Sequence, residues 1–165
     1  MRHSARLLSS DKPLKIAEIG VRDGTNAIDM MEELNIDKIF LVDPFCPYYD
    51  GDNYIDQPTQ SRYYYNLFKK IAPYFGKLVL VTRTSAFGSG LFDDEFFDYI
   101  YIDGDHSYKE VVKDLKYWYP KIKKDGLFAG HDISMEDVKK AVDEFTNNLK
   151  TNYEITDEDW FFRKQ

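Results

Sequence analysis

Five short apolar runs, Leu14–Ile19, Lys38–Val42, Leu78–Thr82, Phe97–Ile102 and Gly126–Gly130, recur along the chain, and segments of helical periodicity separate most of them. Strands that alternate with helices return by crossover and lie parallel, because a helix is too long a connection for a tight hairpin. The helix expected over Thr25–Leu34 puts Ala27, Met30, Met31 and Leu34 on one face, and a second is expected from about Ser61 to Ala72, closed by Pro73 and Gly76. Tyr108, Val111, Val112, Leu115 and Trp118 repeat at helical spacing before Pro120, and Val138, Val142, Phe145 and Leu149 mark a further helix. The tail differs: Asn152–Thr156 and Asp159–Phe162, joined by Asp157 and Glu158, read as an antiparallel hairpin. The expected fold is α/β, a doubly wound, mostly parallel sheet with a C-terminal antiparallel hairpin, in a single domain spanning 1–165.

Chemistry concentrates where two of these strands end. The run Asp98-Tyr-Ile-Tyr-Ile-Asp103-Gly104-Asp105-His106-Ser107-Tyr108 delivers Asp103, Asp105 and His106 into a glycine-containing turn before a helix. Leu127-Phe128-Ala129-Gly130 ends in His131-Asp132. Oxygen and nitrogen donors gathered at the carboxyl ends of strands suit metal binding or acid–base chemistry, and open α/β sheets bind their ligands there.

The first strand also ends in a glycine turn, Glu18-Ile19-Gly20-Val21-Arg22-Asp23-Gly24. Glycine at 20 permits a sharp turn, and glycine at 24 lets the following helix start close to a ligand. Asp43, nineteen residues beyond Gly24, ends the second strand, where a carboxylate accepts hydrogen bonds from ribose hydroxyls. A pyrophosphate-binding fingerprint requires a further glycine where Arg22 stands, so a cofactor carrying an amino-acid moiety fits better than a dinucleotide. Glu18 then faces a cationic ammonium or sulfonium.

Taken together, the Glu-x-Gly-x-x-x-Gly turn, the acid at 43, the Asp103-Gly104-Asp105-His106-Ser107-Tyr108 run and Gly130-His131-Asp132 resemble the class I S-adenosylmethionine-dependent methyltransferases, and within them methyltransferase family 24. The resemblance covers Ile16 to Phe145 and implies a seven-stranded sheet with a reversed last strand. It implies that Glu18, Gly20 and Gly24 bind the methionine part of S-adenosylmethionine, Asp43 its ribose, and that Thr84, Ser85 and Ala86 lie near its adenine. Asp103, His131 and Asp132 stand where relatives hold a divalent metal, with Asp103 also bordering the cofactor. Better-studied relatives carry two oxygen-bearing side chains at the last pair. A histidine at 131 therefore puts magnesium in question and suits manganese, iron or zinc.

The expected activity is methyl transfer to a hydroxyl of a small molecule such as a sugar, aminoglycoside or catechol, with His106 or His131 as base and Asp105 orienting an imidazole or meeting the next helix. Two alternatives stand beside it, a nicotinamide-dependent oxidoreductase and a cofactor-binding partner domain without turnover. A formal net charge of −7 argues against nucleic acid and anionic membranes as partners. The basic start (Arg2, His3, Arg6) lacks the apolar stretch of a signal peptide, and the single Cys46 agrees with a reducing compartment, so a cytoplasmic protein is expected. The Tyr-rich stretch from Pro44 to Tyr65 reads as an irregular connection up to the helix expected from about Ser61, suited either to covering a substrate or to sealing a homo-oligomer.

Overall fold

The computed structural model describes residues 4–8, 12–50 and 52–165, so Arg2 and His3 of the basic start lie outside the described residues. Along the chain run β1 (Leu14–Ile19), α1 (Thr25–Glu33), β2 (Ile36–Val42), β3 (Tyr48–Asp50), β4 (Asn53–Ile55), α2 (Gln57–Ile71), β5 (Leu78–Val81), α3 (Ser85–Ser89), β6 (Phe97–Ile102), α4 (Tyr108–Trp118), β7 (Ile122–Gly130), α5 (Glu136–Leu149), β8 (Glu154–Thr156) and β9 (Asp159–Arg163). Seven strands form one sheet in the order β5-β2-β1-β6-β7-β9-β8. All neighbours are parallel except β7–β9 and β8–β9, as the terminal hairpin implied.

Strand alternation divides the core in two. Ile16, Leu41, Tyr99, Leu127 and Phe161 face α1 and α2, where Ala27, Met30, Leu67 and Ile71 meet them. Ala17, Ile19, Ile100, Phe128 and Phe162 face the other way, onto Val111, Leu115 and Trp118 of α4 and Val138 and Val142 of α5. Both faces being covered explains why the strands read as nearly continuous apolar runs.

From β1 the chain winds outward through β2 and β5, then crosses back to lay β6 on the other side of β1. A crevice therefore opens at the carboxyl ends of β1 and β6, where the winding reverses.

Three elements depart from the sequence reading. The Pro44–Tyr65 stretch is not an irregular connection: it holds the β3–β4 hairpin, with the exposed rings of Tyr49 and Tyr54 5.0 Å apart across it. The next helix starts at Gln57 rather than Ser61, because the Asp56 carboxylate accepts from the Thr59 N–H at 2.9 Å and Pro58 fits a first turn that needs no amide donor. A short helix, α3, follows β5 in a stretch too brief to show periodicity.

Candidate active site

The register of the sheet sets the site. Glu18 pairs with Tyr101, Tyr101 with Ala129, and Ala129 with Phe161, so these residues share one level. One step nearer the carboxyl edge, the ladder continues past the strand ends. Gly20 N–H donates to Val42 at 3.0 Å, Asp103 N–H to Ile19 at 2.7 Å and His131 N–H to Ile102 at 3.0 Å. With two-residue alternation, Gly20, Asp103 and His131 come to the rim on the α1/α2 face, directly above Glu18, Tyr101 and Ala129.

Both turn glycines adopt left-handed backbone, φ +83° at Gly20 and +74° at Gly24. A Cβ on Gly20 would lie 1.9 Å from the Asp103 carbonyl oxygen, so this glycine lets β1 and β6 close together under the site. At Gly24 a Cβ would meet Leu67 of α2 at 2.2 Å, so this glycine also lets α1 and α2 pack closely.

Asp43 stands at the end of β2 as expected and braces the turn. One carboxylate oxygen accepts from the N–H groups of Val21 (2.9 Å) and Arg22 (3.1 Å), and the other from Phe45 N–H (2.8 Å). A carboxylate offers about four acceptor positions, which leaves one for a further donor. Glu18, 2% exposed, accepts from the Asn26 amide at 2.9 Å.

The two strand ends converge. Asp103, His131 and Asp132 each present a ligand atom, all within 4.8 Å of one another. The His131 Nδ1 lies 3.0 Å from Asp132 Oδ2 and 3.9 Å from Asp103 Oδ1, while His106 Nε2 reaches the same Asp132 oxygen at 2.9 Å. Burial alone would push the Asp132 carboxyl up, but His106 and His131 outweigh it and hold the group well below the usual carboxylate range. Asp132 adopts φ +57°, a conformation that Asp tolerates better than most side chains. Asp105 turns instead to its own loop, accepting from Ser107 N–H at 2.8 Å just before α4. Asp103, Asp105, His106, His131 and Trp160 line a small cleft between the ends of β6 and β7.

Two acids that sequence reasoning missed lie close by. Asp114, 6% exposed on α4, accepts from Ser85 Oγ at 2.5 Å, and Trp118 Nε1 donates to the same hydroxyl at 2.8 Å. Burial pushes the Asp114 carboxyl up to about 7, with Glu110 and Asp105 adding to the rise, while Ser85 and Lys113 oppose it. Asp159, 3% exposed, accepts from Tyr101 OH at 2.6 Å and from the Ser4 amide at 2.9 Å, and burial beside it drives the Tyr101 phenol far above its ordinary pKa. Nothing in the sequence marked Asp114, since an acid among Val111, Leu115 and Trp118 reads as the helix's wet side. Of the expected adenine neighbours, Ser85 is half-buried in this network, whereas Thr84 and Ala86 are exposed.

Residues 17–133 match the family model described as a methyltransferase domain, methyltransferase family 24. The chain belongs to this methyltransferase family. The matched span contains the glycine turn, Asp43, Ser85, Asp103, His106, His131 and Asp132. The methyltransferase also shares its fold with solved structures of low identity. A precorrin-6y C5,15-methyltransferase from Geobacter metallireducens superposes at a TM-score of 0.69 with 16% identity over 93% of this chain and 71% of the other. The O-methyltransferase NovP gives 0.61 and 17% over 93% and 72%, and spermidine synthase from Thermotoga maritima 0.61 and 15% over 94% and 55%. The chain thus spans little more than half of the last. No curated protein sequence matches it. Among the described residues, no helix of the methyltransferase is long and apolar enough to cross a membrane.

Proposed function

We propose that this methyltransferase moves a methyl group from S-adenosylmethionine to a hydroxyl oxygen of a small molecule, assisted by a divalent cation and a histidine base. The convergence of Asp103, His131 and Asp132, one strand step from the glycine turn, carries this reading. Membership of a methyltransferase family and the fold shared with an O-methyltransferase support it.

The donor set of two carboxylates and one imidazole fits a cation of the manganese, iron or zinc type better than magnesium, which favours oxygen ligands alone. S-adenosylmethionine supplies a methyl on a positively charged sulfur, and the cation supplies positive charge that eases loss of a nearby hydroxyl proton. Glu18 favours the cationic end of the cofactor through the field of its buried carboxylate, and Asp43 accepts from the ribose while keeping the turn closed. The Asp132 carboxylate, 2.9 Å from His106 Nε2, stabilises the imidazolium that His106 becomes on taking a proton. With the cofactor bound, His106 would take the proton of the acceptor hydroxyl, and Asp132 would hold the resulting imidazolium in place. His131 is needed as a ligand and serves least well as the base.

The decisive measurement is calorimetry with S-adenosylhomocysteine, followed by turnover on sugar, aminoglycoside and catechol panels with manganese, magnesium or a chelator. Binding in the micromolar range and turnover that chelation abolishes are expected; absence of binding overturns the cofactor reading, and full turnover in chelator overturns the cation. Asp43→Ala is expected to weaken S-adenosylhomocysteine binding by about 10- to 100-fold, the worth of a charged hydrogen bond. It also lowers thermal stability, because the N–H groups of Val21 and Arg22 lose their partner. An unchanged dissociation constant places the ribose elsewhere.

A further inference from the structure

We infer that copies of this chain associate head to tail, the basic β5 edge of one sheet docking on the acidic β8 edge of the next. The association needs no part of the active-site chemistry.

Charge is divided between the two sides of the molecule. Residues 57–92, which form α2, β5 and α3, carry Arg62, Lys69, Lys70, Lys77 and Arg83 and no acidic residue. The whole chain has a formal net charge of −7 and this stretch +5, so the remainder holds −12. Among the described residues, only Lys70 of the five is bridged to a carboxylate, Asp23 at 2.7 Å, while Lys69 and Arg83 lie over the rings of Tyr65 and Phe87. Residues 151–162, which hold β8 and most of β9, carry Glu154, Asp157, Glu158 and Asp159 and no cation. The first three of these acids are exposed.

The sheet places these stretches at opposite ends. β5 and β8 are its two outermost strands, each paired on one side only. An open strand edge offers backbone N–H and C=O groups to a partner. Each edge also has an apolar centre: Val79 of β5 is 37% exposed and Phe75, just before that strand, 51%, while Ile155 of β8 is 52% exposed. Apolar groups ringed by charge of one sign fit a surface ringed by the other, and here the complement stands on the same molecule. Two basic edges, or two acidic ones, meeting across a two-fold axis would set like charges together, so the contact joins unlike edges. Such a contact leaves one edge of each kind open, and association continues until a ring closes. The crevice at the ends of β1 and β6 lies in the middle of the sheet, clear of both edges.

The test is sedimentation velocity on the full chain, from low to several hundred micromolar, with thermal melts as a check of folding. The wild-type protein is expected to rise in mass beyond a dimer as concentration increases. Lys77→Glu with Val79→Glu makes the β5 edge acidic, and Glu154→Lys with Ile155→Lys makes the β8 edge basic; all four side chains are exposed. Each double variant alone is expected to stay monomeric at every concentration. Mixed in equal amounts they are expected to associate again, because every contact between them sets an acidic edge against a basic one. Should one double variant fail to fold, the wild-type mass and the other variant decide. A wild-type protein that stays monomeric overturns the inference and leaves the basic edge to a separate acidic partner. An assembly that survives in either variant, or that the mixture does not restore, overturns it as well.

Discussion

Gly20→Ala is expected to destabilise the protein by about 2–5 kcal/mol, a large share of the margin of an ordinary domain. Two costs combine. At φ +83° an L-residue pays about 1–2 kcal/mol against glycine, and forcing a methyl into filled space adds about 1–3 kcal/mol. The obstacle is backbone: a Cβ would lie 1.9 Å from the Asp103 carbonyl oxygen, 2.4 Å from its carbon and 2.7 Å from the Gly104 Cα. Relief requires β6 to move away from β1, which displaces Asp103 from the cluster. Gly76→Ala is the matched control, because nothing lies within 4 Å of a Cβ there, and its effect should stay within about 0.5 kcal/mol. Urea unfolding of the two variants measures the difference; equal midpoints would show that the close approach of β1 and β6 is not a constraint.

The same contact shows why part of this molecule was legible in the sequence. Gly20, Asp43, Asp103, His131 and Asp132 all stand at strand ends, and apolar runs locate strand ends well, so their gathering at one edge followed from counting. The parallel pairing and the antiparallel tail followed from helix-separated strands and from the short spacer at Asp157 and Glu158. What escaped depends on tertiary neighbours. The packing of Gly24 against Leu67, forty-three residues on, has no local signal in the sequence. Asp114 went unmarked because helical periodicity marks apolar faces and says nothing about a carboxylate turned inward to Ser85. The β3–β4 hairpin escaped because its strands have three residues each, too short to show alternation.

Asp132→Asn is expected to cut turnover by about 10³-fold or more while leaving S-adenosylhomocysteine affinity within about threefold. Asparagine is the informative replacement. It matches the aspartate in shape and tolerates the left-handed backbone at φ +57°, so the turn after β7 is preserved and only the charge changes. The carboxylate has two tasks that an amide performs poorly: its charge, 2.9 Å from His106 Nε2, favours the imidazolium, and it contributes negative charge beside Asp103 and His131 for a cation. His106→Ala should cost a comparable factor, and the double variant little more than either single one, because the pair acts as a unit. The acid limb of stability gives a second readout. A folded-state pKa held below the unfolded value contributes stability that is present above the ordinary carboxylate pKa of about 3.9 and is lost as pH falls through the depressed value. Asp132→Asn removes that dependence, so its stability should fall less than wild type as the pH drops below about 4. Full turnover in Asp132→Asn, with an unaltered acid limb, would leave His106 without an orienting partner and return the choice of base to His131.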